Sequence, residues 1–234
     1  MNDSDSKKRP VLEVIACTVD DAIEAEKGGA DRLEIISDFD AGGYTPNLDL
    51  VGEIRARVSI PLRVMLREEP GHGLTEIITV ERLCCMTCEL NSMGVDGVVI
   101  GFLTRGRIDI RLTKKILACA PDLKATFHHA FEDSVDKLAA IEDLKLIGQV
   151  DKILSHGGFE NWQGRVASLT KYAKAAEPEI SILAGGRVDR HMIDVIKANS
   201  DIREFHVGTS ARENGQVAAS RVEVLAAAVH RVYA

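Results

Sequence analysis

Short runs of β-branched and aliphatic residues recur along the chain, each followed by a glycine-rich or polar loop and then a stretch with helical spacing. The runs fall at residues 12–16, 32–36, 62–66, 97–100, 124–127, 152–154, 180–184 and 204–207. Helix-compatible segments lie at 20–27, 48–57, 80–93, 110–118, 135–147, 162–175, 190–198 and 221–232. An open, doubly wound sheet would leave several of these units unused. Eight strand–helix units are what a closed (β/α)8 TIM barrel needs. The pattern therefore predicts an α/β chain with one barrel domain over residues 11–234, preceded by a polar, disordered tail at 1–10.

Local signals refine the boundaries. Gly28-Gly29 and Gly94 follow helical runs, as expected of residues that accept positive φ after a helix. Thr79 reads as the N-cap of the third helix, without a capping box because Arg82 stands where Glu or Gln would. Period-two alternation then separates helix-facing residues from barrel-facing ones. Leu12, Val14, Leu33, Ile35, Leu62, Val64, Phe127, Phe205 and Val207 are predicted to face the helices. Glu13, Arg32, Glu34, Arg63, Met65, Arg67, Thr126, His128, Glu204 and His206 are predicted to face inward.

Composition changes this picture little. The 234 residues are 45% hydrophobic and 28% charged, as in an ordinary globular protein. A net charge of −7 argues against non-specific nucleic-acid binding, which needs a basic face. No apolar run approaches a membrane span of roughly 20 residues, and the polar opening has no signal-like apolar core. Five cysteines without such a signal suggest reduced thiols and a cytoplasmic location.

A barrel interior is normally filled by Val, Ile and Leu, so inward carboxylates, imidazoles and guanidinium groups need partners or a ligand. The candidate catalytic set is Glu13, Glu34, Arg67, His128 and His206: a Glu as base, a His as acid and Arg67 as substrate clamp. Gly185, Gly186, Gly208 and Ser210 form loops after strands seven and eight, the usual cofactor or phosphate cradle of this fold. His72 and His156 read as solvated loop residues, and Lys152 heads its strand, the wrong end for Schiff-base chemistry. Copper(I) prefers sulfur. Cys17 is the candidate metal ligand nearest the pocket, while Cys84 and Cys88, four apart on a helix, read as ordinary packing.

Several segments resemble the copper-homeostasis CutC family. They are Leu12-Glu13-Val14, Gly28 to Glu34, Gly42-Gly43-Tyr44-Thr45-Pro46, Thr126-Phe127-His128 with Ala130-Phe131, Leu154-Ser155, Gly185-Gly186 and Phe205-His206. The resemblance implies a barrel, a cytoplasmic homo-oligomer and copper handling, with Glu13, Glu34, Arg67, His128 and His206 at the family's polar pocket positions. The chain departs from that pattern in its Glu68-Glu69 loop, in His129 where the family usually has Arg, and in Glu132 where it usually has Asp. These departures mark a divergent member. Two functions follow as expectations: copper binding and handling, or an enzyme acting on a small anionic or sugar-like metabolite. The partner is a small molecule or metal ion in either case, with no nucleic acid and no membrane.

Overall fold

The computed structural model describes residues 9–73, 77–158 and 161–231, with the side chain of Ile77 left out. Most of the expected tail, residues 1–8, lies outside the described residues, as does the expected end of the last helix at 232. Eight strands close a parallel barrel: β1 (Val11–Ala16), β2 (Arg32–Ile35), β3 (Leu62–Met65), β4 (Gly97–Ile100), β5 (Lys124–Phe127), β6 (Val150–Ser155), β7 (Ser181–Ala184) and β8 (Glu204–Val207). Each neighbours the next, and β8 pairs with β1. The helices are α1 (Val19–Lys27), α2 (Leu48–Arg55), α3 (Ile77–Ser92), α4 (Ile110–Leu117), α5 (Lys137–Lys145), α6 (Trp162–Ala176), α7 (Arg190–Asn199) and α8 (Ala219–His230).

Side-chain oxygens cap most of these helices. Thr18, Asn47, Asp109, Asp136, Asn161 and Asp189 each accept a hydrogen bond from a backbone N–H in the first turn that follows. Thr79 does not cap. α3 starts at Ile77, and the Thr79 hydroxyl instead donates to Glu69 Oε1 at 3.1 Å. Two short antiparallel hairpins, Leu103–Thr104 with Arg107–Ile108 and Arg212–Glu213 with Gln216–Val217, precede α4 and α8. Their turns hold Arg105-Gly106 and Asn214-Gly215 at positive φ, the geometry that favours glycine at the second position.

The apolar layer lies between strands and helices. Leu12, Val14, Leu33, Ile35, Leu62, Val64, Phe127 and Phe205 are fully buried in it, as alternation predicts. A second, small apolar group of Ile36, Met65 and Val99, joined by Ile15, Cys17 and Phe39, sits apart from that layer. Among the described residues, no helix is long and apolar enough to cross a membrane.

Candidate functional site

Register decides which charges meet inside the barrel. Glu13 lies across from Arg32 on one side and from His206 on the other. Arg32 Nε donates to Glu13, and its Nη2 donates to Glu204 Oε2 at 3.0 Å. Lys152 Nζ donates to the other oxygen of Glu204 at 2.8 Å and lies 3.7 Å from Asp151. Asp151 in turn accepts both nitrogens of Arg63, at 2.7 and 2.8 Å, and Arg63 also donates to Thr126 Oγ1 at 3.2 Å. A register shift explains Asp151: Ala125 faces Val150 but Thr126 faces Lys152, so one residue of β6 is skipped. Three carboxylates and three cations thus form one network filling the N-terminal half of the barrel.

Two further groups stand above it. His206 Nδ1 donates to Glu13 Oε1 at 2.8 Å, and its Nε2 lies 3.6 Å from Glu34 Oε2. All three side chains are at most 6% exposed. Burial acts against the Glu13 carboxylate, but the Arg32 charge and the His206 bond outweigh it and hold the acid well below the usual range. Burial pushes Glu34 up to about 7, with the Glu13 charge adding to the rise and His206 opposing it. Burial would lower His206, yet the carboxylates of Glu34 and Glu13 prevail and hold it above its ordinary value. Glu34 and His206 are thus two buried, adjacent titratable groups that are both held above their ordinary values.

Above this pair opens a cavity of about 250 Å³ at the C-terminal end of the strands. Its lining includes Glu34, His206, His129, Phe39, Met65 and Thr209. His129 is lowered to about 4 by burial and by the neighbouring His206, His72, His156 and Arg67 charges, so it is a neutral imidazole at pH 7. The site thus joins a carboxyl of tuned acidity, a protonatable imidazole fixed by Glu13 and a neutral imidazole, within a mostly apolar wall.

Of the residues the sequence singled out, Glu13, Glu34 and His206 come together. His128 is buried but not among the lining residues. Its Nδ1 accepts the Ala130 N–H at 3.0 Å, and its ring lies so close to Gly101 that a Cβ there would come within 2.3 Å. Arg67 is also turned aside: Nη1 donates to the Gly43 carbonyl at 3.2 Å, and the guanidinium stacks over Tyr44 at 4.9 Å. The Gly185 and Gly186 carbonyls both accept from Arg165. Gly208 lies under Ile15 and Phe39, and the Ser210 hydroxyl donates to the Val188 carbonyl at 2.7 Å. Cys17 has Arg212 Nη2 at 3.4 Å from its sulfur. Among the described residues, no group of three or more His, Cys, Asp or Glu side chains is placed to hold a metal ion.

His129 is a titratable lining residue that alternation missed. It opens a 3₁₀ turn (His129–Asp133), where the period of two no longer applies. The one sign of it in the sequence was its departure from the Arg usual at that place.

The sequence pattern of the CutC family matches residues 11–211, nearly the whole barrel. The chain belongs to the CutC family. It is 32% identical over 209 residues to a CutC family protein of Xanthomonas campestris, covering 89% of this chain and 85% of that one. It is 31% identical over 207 residues to the human copper homeostasis protein cutC homolog, covering 88% and 76% of the two chains. The CutC fold is shared with a solved copper homeostasis protein from Streptococcus agalactiae, at a TM-score of 0.79 and 23% identity over 86% of this chain and 98% of that one. A thiamine phosphate pyrophosphorylase from Pyrococcus furiosus shares the barrel more distantly, with a TM-score of 0.63 and 15% identity over 95% of this chain and 96% of that one.

Proposed function

We propose that the barrel cavity is an acid–base site for a small, uncharged hydroxycarbonyl compound. The observation that carries this reading is Glu34, held near neutrality beside His206 and facing a cavity of about 250 Å³. A general acid or base works best when its pKa lies near the working pH. Glu34, as its carboxylate, takes a proton from the carbon next to the carbonyl while protonated His206, anchored through Nδ1 to Glu13, donates one from Nε2 to the carbonyl oxygen; His206 recovers its proton as Glu34 returns its own to carbon. His129, neutral, donates a hydrogen bond to the oxygen where charge develops. An uncharged ligand fits best because Arg67 is engaged with the Gly42–Tyr44 loop and the network cations with carboxylates. The test is solvent exchange. Small hydroxyaldehydes and hydroxyketones in D₂O should lose their α-proton NMR signal with the parent protein and keep it with Glu34→Gln. Absence of exchange across the whole panel, or exchange undiminished in the variant, overturns the reading.

A second reading, copper handling in the cytoplasm, is favoured by the name of the human relative. The cavity does not fit copper(I): its donors are a carboxyl and two imidazoles, which suit harder or borderline ions, and the one nearby thiol, Cys17, faces a guanidinium. Copper(I) handling by this chain has to draw on sulfur elsewhere.

A further inference from the structure

The inward face of the barrel changes character one layer above the charges. Two residues on from Glu13, Glu34 and Arg63, the same face carries Ile15, Ile36 and Met65, with Ile36 just past the end of β2. With Val99 and Phe39 they belong to the small apolar group that sits apart from the strand–helix layer. Leu154 of β6 joins Ile15, Ile36, Phe39 and Met65 in lining the cavity. Paired charges thus lie beneath the cavity, while aliphatic and aromatic side chains make up most of its wall.

The aromatic part of that wall is held in place. Gly208 lies so close that a Cβ there would come within 2.9 Å of both the Phe39 ring and Ile15 Cδ1. The Arg212 guanidinium lies over the same ring, 4.4 Å from its centre. Arg212 is itself fixed, donating through Nη2 to Asp21 Oδ2 and to the Ile15 carbonyl, both at 3.3 Å. A cation is attracted to an aromatic face, and a wall ordered before the ligand arrives costs less to bind against.

Polar side chains in the lining are few. The acid–base reading engages Glu34, His206 and His129 with the carbonyl and the carbon beside it, which leaves Thr209. A sugar-like ligand carries a hydroxyl on nearly every carbon. A hydroxyl set against Ile15, Ile36 or Met65 gives up its hydrogen bonds to water and gains none in return. The cavity, about 250 Å³, is also smaller than the ~300–1,000 Å³ of pockets for drug-sized ligands, so the ligand is short.

We propose that the cavity selects a hydroxycarbonyl compound with a short alkyl arm over sugar-like polyols. The hydroxycarbonyl half of this assignment rests on the acid–base reading above, whereas the alkyl arm is carried by the wall alone. The arm lies against Ile15, Ile36, Met65 and Phe39 while the reacting carbon stands beside Glu34.

The test is calorimetric titration of the parent protein with 1-hydroxybutan-2-one and with erythrulose. The two share a four-carbon skeleton and the hydroxycarbonyl group and differ by two hydroxyls on the remaining carbons. The parent protein is expected to bind 1-hydroxybutan-2-one about tenfold tighter or more, the order of discrimination an apolar pocket gives for such changes. Phe39→Ala should weaken 1-hydroxybutan-2-one by about tenfold and erythrulose less. Binding is read here without proton exchange, so the two readings fail separately. A preference for 1-hydroxybutan-2-one without exchange keeps the alkyl arm and removes the acid–base reading, and exchange with erythrulose preferred does the reverse. Erythrulose binding as tightly or more tightly, no binding of 1-hydroxybutan-2-one, or a folded Phe39→Ala variant with undiminished affinity for it overturns the proposal.

Discussion

Glu34 and His206 share what is left over once the three carboxylates and three cations below them are paired. Removing one partner therefore has a readable effect on the other. The Glu34 charge is the leading influence that lifts His206, so Glu34→Gln should lower the imidazole pKa, measurable by NMR titration. The same residue gives stability a pH slope. Its folded pKa, about 7, exceeds the ordinary 4.5, so the folded state holds the proton more tightly than the unfolded chain. That contribution is complete below pH 4.5 and is lost as pH rises through about 7, and the raised His206 acts in the same direction. Thermal midpoints of Glu34→Gln should accordingly fall less than those of the parent as pH rises from about 4.5 to about 7. Glu13 has the opposite sign: its acid is depressed, so its contribution is present at neutral pH and lost in acid. Glu13→Gln leaves Arg32 short of a partner in the interior and should cost ~3–5 kcal/mol in denaturant melts at pH 7.

At the level of elements, close approaches of backbone define where the barrel tolerates no added atom. Gly28, which ends α1, has ordinary negative φ, yet a Cβ there would stand 2.5 Å from Val222 Cβ and 2.6 Å from the Ala219 carbonyl oxygen of α8. Gly28→Ala should destabilise by ~1–3 kcal/mol, with faster hydrogen exchange in α8 as the local sign of overpacking. Strands and helices were legible in the sequence because each is amphipathic or apolar at its own period. The parity that sent Leu33 to the helices also sent Glu34 inward. Alternation could not see the skipped residue on β6, since a bulge depends on the neighbouring strand, and so Asp151 was missed. The hairpin at Asn214-Gly215 carries a turn signal in its Asn-Gly pair, both residues at positive φ. Helix α3 begins at Ile77 rather than after Thr79, whose hydroxyl is drawn to Glu69, a contact no local rule contains.

Across the whole molecule, alternation marked Glu13, Arg32, Glu34, Arg63, Glu204 and His206 as inward but did not show how they divide. Arg32, Arg63, Lys152 and Glu204 belong to the network, whereas Glu34 and His206 reach the cavity, and only side-chain geometry separates the two sets. Arg67 and His128 show the same limit, since each is claimed by a loop contact beyond its strand. The network should behave as a unit. Lys152→Met and Glu204→Gln are each expected to destabilise, and the double variant should cost less than their sum by ~0.5–3 kcal/mol, read from a double-mutant cycle in urea.

That plug of paired charges also turns the barrel into a vessel with one mouth. A ligand in the cavity lined by Phe39 and His129 has the paired charges beneath it, on the side of the strands' N-terminal ends. In about 250 Å³ two metabolites cannot pass each other. On the acid–base reading proposed above, product has to leave before the next substrate binds, and an analogue held in the cavity blocks both.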